Sequence, residues 1–412
     1  MSKKNAILLI LTVFIGFLAA LIWFYFNANT PSANTNTIVT TGDVYDPFGL
    51  GNRGGSTSPA TTTSEQPVVN TPVTQPLLRK ISSDPVSGSI IFNSNARTDI
   101  RYILRANGNI YETYTDSTES KRISNTTIPK VYESNWLPNG QNLIIRYLKD
   151  VADVIQSFSV EIKIATTTGN EFEGGVDGMF LPENISQLAI NPLGDKVFYL
   201  ISDLNGSSGY ITKTNGSNKK LLFQSPLIEW QVSWPKEDYI TFTTKPSAKT
   251  IGYMYFLNTK TGSFDRVIGD IAGLTTNTNP TATKILYSDS SAGLPKIYLY
   301  DVKKAESKML PWNTLPEKCA WDKNDDKNIY CAVPNQFGEG DYPDAWYQGL
   351  VSFTDSIWKY DQTTGATTQV ANLKNLANLN IDATDLKISG AGDYMTFVNK
   401  TDLSFWGLKI TP

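Results

Sequence analysis

The segment WLPNGQNLIIRY, residues 136–147, carries the pattern that decides the fold of this chain. An apolar anchor residue is followed by a turn-forming stretch, and a strand of β-branched and aromatic residues follows the turn. The pattern returns five times: INPLGDKVFYLI (190–201), WPKEDYITFTT (234–244), TNPTATKILYSD (278–289), WDKNDDKNIYCAV (321–333) and ISGAGDYMTFVN (388–399). Self-similar segments of this kind indicate a fold built from repeats.

The spacing of the anchors predicts the kind of repeat. Successive anchors lie 54, 44, 44, 43 and 67 residues apart. A period of about 40 to 45 residues with four strands per repeat is typical of β-propeller blades. A second turn pattern follows a short aromatic strand in three repeats: Asn215-Gly216, Thr261-Gly262 and Thr364-Gly365. The same pattern at Asn107-Gly108 predicts one more repeat before Trp136. We therefore predict an all-β propeller of about seven four-stranded blades over residues 78–412.

The last repeat lacks room for a fourth strand, because the chain ends soon after Ser404–Ile410. An open sheet edge invites aggregation, so a closed propeller takes its missing outer strand from another part of the chain. Leu77–Ser82, directly ahead of the first repeat, is predicted to supply it.

These repeats resemble the TolB-type, WD-like β-propeller family. The resemblance lies in the turns of WLPNG and INPLG and in the tyrosine-rich strands KIYLYD and IWKYD, and it covers about four-fifths of the chain. That family includes periplasmic partner-binding proteins and the gating propellers of some peptidases. The resemblance implies a propeller fold and suggests a binding role outside the cytoplasm.

The N-terminal segment Ala6–Phe26 is an uncharged run of 21 residues. As a helix it would span about 30 Å, the thickness of a bilayer core. Lys3 and Lys4 precede it and the next charge is Asp43, so the positive-inside rule places the N-terminus in the cytoplasm. We predict that residues 1–26 form a cytoplasmic tip and a single-pass anchor in the cell membrane. The alternative is a cleaved signal peptide, whose apolar region is normally shorter.

Residues 27–77 are rich in Thr, Ser, Asn and Pro and contain few apolar side chains. Such a segment cannot bury enough surface to offset its ordering entropy. We predict a disordered stalk that holds the propeller outside the membrane.

The composition excludes several classes of function. The 412 residues include no histidine, which excludes Ser-His-Asp catalysis and His-bound zinc. A net charge of −3 gives no basis for nucleic-acid binding. No nucleophile, cofactor or metal motif is found, so we predict no catalytic residue, no cofactor and no metal.

Cys319 and Cys331 lie symmetrically about the predicted turn DKNDDKN. In a regular hairpin they would be opposed cross-strand neighbours, close enough for a disulfide. Oxidation is favoured outside the cytoplasm, but two reduced thiols packed as small apolar groups fit the same pattern.

An insertion supplies the candidate binding site. The distance along the chain from the anchor to the glycine of the second turn is 26 residues in the repeat of Ile190 and 28 in the repeat of Trp234. In the repeat of Trp321 it is 44 residues. The extra residues lie between the second and third strands, within Asn335–Asp355. The candidate binding residues of this loop are Glu339, Asp341, Asp344, Trp346 and Tyr347. Exposed aromatic rings beside carboxylates suit recognition of sugars, peptides or cations. In the alternative, Trp346 and Tyr347 fold back and plug the end of the propeller channel.

Two functions follow as hypotheses. The first is a binding or scaffold module that meets a protein or polysaccharide of the cell envelope and is held to the lipid bilayer by residues 6–26. The second is an enzyme that acts on extracellular glycans through paired carboxylates, nominally Asp341 and Asp344. Two carboxylates from different blades, about 5 to 10 Å apart in an open pocket, would favour the enzyme.

Overall fold

A computed structural model describes residues 77–94, 97–149, 154–163, 174–322 and 327–410 of the chain. Within these residues, 28 strands form seven separate four-stranded sheets, each antiparallel throughout. The arrangement is a seven-bladed β-propeller, and the predicted fold class is confirmed to that extent.

The first strand, β1, spans Leu78–Ser82 and belongs to the last blade. Blade 1 consists of β2 (Val86–Ser94), β3 (Arg97–Leu104), β4 (Ile110–Tyr114) and β5 (Lys121–Arg122). Blade 2 consists of β6 (Val131–Trp136), β7 (Asn142–Leu148), β8 (Ile155–Lys163) and β9 (Gly175–Phe180). Blade 3 consists of β10 (Ile185–Ile190), β11 (Lys196–Asp203), β12 (Gly206–Lys213) and β13 (Lys220–Ser225).

Blade 4 consists of β14 (Trp230–Lys236), β15 (Tyr239–Thr244), β16 (Ile251–Asn258) and β17 (Phe264–Ala272). Blade 5 consists of β18 (Thr276–Thr278), β19 (Lys284–Asp289), β20 (Lys296–Asp301) and β21 (Glu306–Asn313). Blade 6 consists of β22 (Cys319–Trp321), β23 (Asn328–Pro334), β24 (Asp355–Asp361) and β25 (Thr367–Asn372). Blade 7 consists of β26 (Ala383–Ile388), β27 (Tyr394–Asn399), β28 (Phe405–Lys409) and β1. Three short helices complete the fold: the 3-10 helix Pro316–Lys318, α1 (Asp344–Tyr347) and α2 (Leu373–Ala377).

The expected ring closure is confirmed by the pairing of β1 with β28. Leu78 lies opposite Leu408 and Arg79 lies opposite Gly407, in an antiparallel register. The outer strand of blade 7 therefore comes from the start of the propeller, and the chain passes directly from it into blade 1. Arg79 reinforces the closure, because its guanidinium donates to the Tyr394 hydroxyl at 2.8 Å and to the Tyr114 carbonyl at 2.6 Å.

In each blade, the strand that comes first in the chain is the innermost, because these strands contact each other between neighbouring blades. In blade 7 this strand is β26, since β1 supplies the outer strand. Because the strands alternate in direction, connections between blades and turns between second and third strands lie at one end of the propeller. We call this end the connector face. It carries the turn Asp203–Gly206 and the segment 335–354. Turns after first and third strands lie at the opposite face.

Each of the six anchor residues of the sequence pattern lies in or at the end of a first strand, as Trp136 does in β6 and Trp321 does in β22. Apolar side chains from adjacent blades then pack face to face. Leu286 and Ile297 of blade 5, for example, share a core cluster with Trp321 of blade 6. The extra repeat before Trp136 exists, but Asn107-Gly108 lies between the second and third strands of its blade. The other three Gly turns join third and fourth strands, so the pattern predicted the blade and misplaced the turn.

The two cysteines lie directly opposite each other in the β22–β23 pair. Their sulfur atoms are bonded, with the Cα atoms 4.0 Å apart. The disulfide thus joins the inner strand of blade 6 to its neighbour, and it closes a loop across a sequence separation of 12 residues.

The predicted membrane anchor, residues 1–26, and all of the stalk but its last residue, Leu77, lie outside the described residues. Among the residues that are described, no helix combines the length and apolar character that crossing a bilayer requires. The anchor and the stalk therefore stay predictions.

Candidate functional site

The insertion of blade 6 occupies residues 335–354, between β23 and β24 as expected, and it contains α1. It has a small core of its own, in which Tyr342, Trp346 and Phe353 pack on Leu315. Trp346 is only 4% exposed, and its indole Nε1 donates to Asp382 Oδ2 at 2.9 Å. Of the two predictions for Trp346, the structure therefore agrees with the one in which it folds back and is buried, not with the one in which it is an exposed recognition residue. An indole ring gains more from burial than from exposure once its N–H finds a partner.

A buried ionic cluster lies beneath this core. Lys318 Nζ donates to Asp355 Oδ2 at 2.8 Å and to Asp382 Oδ1 at 2.5 Å, and the side chains of all three residues have no exposed surface. The same ammonium group donates to the Ala383 carbonyl at 3.0 Å. Asp382 Oδ2 accepts from Trp346 and from the Phe353 backbone N–H. Asp382, which directly precedes β26 of blade 7, thus holds the insertion of blade 6 in place.

Lys318 pairs with both carboxylates of this cluster, and the ammonium of Lys400 also interacts with Asp382. Burial raises the pKa of Asp355 to about 6, against the opposing attraction of Lys318. Burial also lowers the pKa of Lys400, whose ammonium lies 5.0 Å from the centre of the Trp346 ring. Burial at this site therefore disfavours the charged forms of both an acid and a lysine.

The raised pKa of Asp355 predicts an effect of pH on stability. Between the ordinary value of 3.8 and about 6, the folded chain keeps a proton on this carboxyl that the unfolded chain has released. The free energy of unfolding should therefore fall as pH rises through this window, because the unfolded state binds fewer protons. We expect Asp355→Asn to remove this contribution, measured as the difference between the two proteins in urea unfolding at several pH values.

Asp361→Asn is the contrasting variant for that experiment. Backbone N–H groups of Thr364 and Thr363 lower the pKa of Asp361, so this carboxyl stabilises the fold above its ordinary pKa and loses that effect as pH falls. The two variants should change the pH dependence in opposite directions. If stability depended on pH in the same way in both variants, the raised pKa of Asp355 would be contradicted.

Tyr347 joins the inner strand of blade 4 to the 3-10 helix ahead of blade 6. Its hydroxyl donates to Glu317 and accepts from Gln231 Nε2 at 3.4 Å. Thr275 donates to the other oxygen of Glu317 at 2.8 Å. The Glu317 residue is partly exposed to solvent, but protein atoms surround its carboxyl group. This desolvation raises the pKa of Glu317. Tyr347 keeps 37% of its surface exposed, so of the two aromatic residues it alone remains open to a ligand.

The three acids of the insertion have separate surroundings. Asp344 Oδ2 accepts from the Ala248 backbone N–H at 2.7 Å, and Asp341 pairs with Lys249 at 2.6 Å. Both contacts tie the insertion to the loop between β15 and β16, so the segment reaches from blade 6 across to blade 4. Glu339 is exposed and lines a shallow cavity beside Asp341 and Asp344. Among the described residues, no group of three or more acidic or cysteine side chains is arranged to hold a metal ion.

Gly273 shows how closely the insertion follows the surface below it. This glycine has a φ of +66° and lies in the connection between blades 4 and 5. A Cβ atom there would come within 2.9 Å of the Tyr342 carbonyl oxygen. Only glycine permits both the left-handed conformation and this approach.

A cleft of about 510 Å³ lies between blade 3, blade 4 and the insertion, at the connector face. We call it the connector cleft. Its walls include Gln187, Trp230, Gln231, Lys245, Tyr347 and Gln348. A second cavity, of about 580 Å³, lies in the central channel between the inner strands of blades 7, 1 and 2. The volumes of both cavities fall in the range of small-molecule sites in proteins.

Exposed apolar side chains are distributed unevenly between the two ends of the propeller. Among the described residues, seven large ones lie in connections at the connector face: Leu204, Leu227, Ile228, Leu294, Tyr347, Leu350 and Leu376. The opposite face has Leu193 in a turn and Leu77 ahead of β1. Leu204 is 98% exposed and Leu350 is 74% exposed, so neither packs against its own chain. An excess of exposed apolar side chains at one end is what an interaction surface at that end would show.

Sequence reasoning missed most of the residues that shape this region. Gln231, Glu317 and Asp382 come from three blades and meet the insertion only after the ring closes. Lys318 precedes the anchor Trp321 by three positions and looks like a surface lysine in the sequence. No local pattern could have shown that it is buried.

Comparison with known proteins supports the fold. No protein-family model matches the chain, and no curated protein sequence matches it significantly. A solved oligogalacturonate lyase in complex with manganese is similar, with a TM-score of 0.50, 10% identity, and coverage of 81% of this chain and 90% of that one. The oligogalacturonate lyase from Vibrio parahaemolyticus gives a TM-score of 0.51 at 9% identity, covering 81% and 91%. TolB from Acinetobacter baumannii gives a TM-score of 0.42 at 10% identity, covering 78% of each chain.

At these identities the likeness shows the fold and nothing of the chemistry. The fold and the contacts of the insertion define the class of this protein as a seven-bladed β-propeller with an insertion at its connector face.

Proposed function

We propose that this protein is a binding propeller that contacts a protein or polysaccharide of the cell envelope through its connector face. The observation that carries the proposal is the larger number of exposed apolar side chains there, among which Leu204 is 98% and Leu350 is 74% exposed. The insertion adds a second argument, because a buried ionic cluster and the clamps at Asp341 and Asp344 hold it in one conformation. A pre-ordered surface loses little entropy when a partner binds.

The proposal includes a location outside the cytoplasm. The apolar run Ala6–Phe26, with Lys3 and Lys4 before it, supports a single-pass anchor in the lipid bilayer. The disulfide between Cys319 and Cys331 agrees with an oxidising compartment. Residues 27–77 would then give the propeller reach above the membrane. The net charge of −3 gives no support for a nucleic-acid partner.

Site-specific photocrosslinking in intact cells tests the proposed face. A photoreactive phenylalanine analogue replaces Leu204 or Leu350 at the connector face, or Leu193 at the opposite face. Leu193 is the matched control, because it is also a turn leucine and is 71% exposed. We expect discrete crosslinked products from positions 204 and 350 and none of comparable yield from position 193. Equal yields from all three positions, or a product from position 193 alone, would refute the proposed face.

One observation favours the alternative of a glycan-acting enzyme. Glu229 and Asp344 come from different parts of the chain and line the same connector cleft. Each is already engaged, however: Glu229 pairs with Lys245 at 2.5 Å, and Asp344 accepts from the Ala248 N–H. A general acid or base must be able to reach the substrate, so binding is the better supported function. New reducing ends formed from an oligosaccharide by the native protein, and lost in Asp344→Asn, would favour the enzyme.

A further inference from the structure

We propose that the connector cleft binds a neutral saccharide chain; this inference rests on the proposed binding function and names the class of its ligand. The cleft has about 510 Å³ of space at the connector face, beside the insertion. Three kinds of observation on its walls point to an uncharged ligand rich in hydroxyl groups: the three amides, the charged groups that already have partners, and the open aromatic ring.

The amides come first. Gln187, Gln231 and Gln348 line the cleft from three different elements: β10, β14 and the insertion. Within the described part of the chain, the side chains of Gln187 and Gln348 have no hydrogen-bond partner, and that of Gln231 has only the 3.4 Å contact to Tyr347. A carboxamide offers both donors and an acceptor. It therefore matches a sugar hydroxyl, which also donates and accepts.

Each charged side chain that lines the cleft already has a partner. Lys245 and Glu229 neutralise each other at 2.5 Å. Asp344 is held by the Ala248 N–H at 2.7 Å, and the Lys249 ammonium is close enough to interact with it. Among the described residues that line the cleft, the one cation is Lys245, so an anionic polymer would meet a lysine already paired with Glu229. A cationic one would have to displace Lys245 from Glu229 or the Ala248 N–H from Asp344.

The apolar part of the cleft suits the carbon face of a sugar ring. Tyr347, with 37% of its surface exposed, lines the cleft together with the buried Trp230, and Ile228 and Pro246 also contribute to the wall. Ligand sites in proteins commonly combine such apolar walls with a few placed polar groups. Tyr347 is held in position by Glu317 and Gln231, so its ring is ordered before a ligand arrives.

The test uses the purified full-length protein and defined hexasaccharides. The neutral probes are hexamers of β-1,4-linked glucose, of β-1,4-linked N-acetylglucosamine and of α-linked mannose. Hexagalacturonate is the anionic probe, and the glucosamine hexamer is the cationic one. We expect at least one neutral hexamer to bind more tightly than both charged ones. Its affinity should change less than about twofold between low salt and roughly 0.5 M salt, because screening acts on charges.

Three variants of the cleft should weaken that binding, and the two glutamine variants should do so without changing the urea midpoint. Gln231→Ala and the double variant Gln187→Ala, Gln348→Ala each remove hydrogen bonds, and each should reduce affinity by about threefold to tenfold. Tyr347→Ala removes the ring and should reduce it at least as much. Gln141→Ala is the matched control, because this exposed glutamine lies in a turn at the opposite face.

The outcomes separate this inference from the proposed function. Tightest binding by hexagalacturonate or by the glucosamine hexamer would overturn the neutral-ligand assignment. Failure of every hexamer, together with a polypeptide crosslinked at positions 204 and 350, would also overturn it and leave the binding face standing. Neutral-hexamer binding that survives all the cleft substitutions would show that the saccharide binds elsewhere.

Discussion

Replacement of Lys318 by methionine should destabilise the propeller by about 3–5 kcal/mol, the usual cost of breaking a buried ion pair. Methionine matches the length of the side chain but leaves Asp355 and Asp382 buried without their cation. One oxygen of Asp355 already has no hydrogen-bond partner among the described residues, so it has no local substitute for the lysine. Urea unfolding of both proteins measures the loss. Faster proteolysis within residues 335–354 should accompany it.

Lys245→Met is the matched control for that variant. Lys245 also contacts a carboxylate, that of Glu229 at 2.5 Å, but both side chains are largely exposed. Exposed pairs typically contribute less than about 1 kcal/mol, so this variant should unfold almost like the parent. Adding Asp355→Leu to Lys318→Met removes one orphaned charge and should recover part of the loss. Equal effects of the two lysine substitutions would contradict the buried cluster.

Removal of β1 should have the second large effect. A protein that begins after Pro85 lacks the outer strand of blade 7 and leaves the edge of β28 unpaired. It also loses Arg79, which donates to Tyr394, to Tyr114 and to the Ser117 carbonyl. Hydrogen bonds to a charged group contribute about 1.5–3 kcal/mol each, so the loss should reach at least about 3 kcal/mol. Thermal unfolding and light scattering measure the lower stability and the expected association.

A protein that begins at Leu77 is the control, because it keeps all of β1. It should melt like the full-length chain. Arg79→Ala in the full-length chain separates the arginine from the strand, and we expect it to account for part of the effect of the truncation. A truncation after Pro85 that melts at the parent's temperature would show that the ring does not depend on this closure.

Both predictions concern blade 7, which closes the ring and fixes the insertion at the connector face. Blade 7 receives β1 on its outer edge, while Asp382, just before its inner strand, holds the insertion through Trp346. A weakened blade 7 should therefore loosen the insertion as well. Partner crosslinking at position 350 should decrease in Lys318→Met, even where the propeller remains folded.

The repeated pattern predicted the architecture because every blade has the same local arrangement of inner strand, turn and second strand. Each anchor ends or lies in an inner strand, and each following turn feeds a second strand buried between neighbouring blades. The spacing also predicted the insertion between β23 and β24. The pattern failed at Asn107-Gly108, since the same two residues suit a tight turn between any pair of strands.

The candidate site was predicted less well, for a physical reason. Burial of Trp346 depends on Leu315 and Asp382, which lie 31 and 36 positions from it in the chain. The exposure of Leu204 and Leu350 is likewise invisible in the sequence, where both look like ordinary core residues. Periodicity reports which residues share a face of one strand. It cannot report what a distant loop covers.

The amino-acid sequence by itself determined the number and kind of repeats, the supply of a closing strand from the start of the propeller, and the position of the extra loop. These depend on interactions between near neighbours, which leave periodic traces in the chain. Only the tertiary structure decided that Lys318 is buried between two carboxylates, that Trp346 points inward, and that exposed apolar residues gather at one end. Those features arise where blades distant in sequence meet, and long-range contacts leave no local pattern.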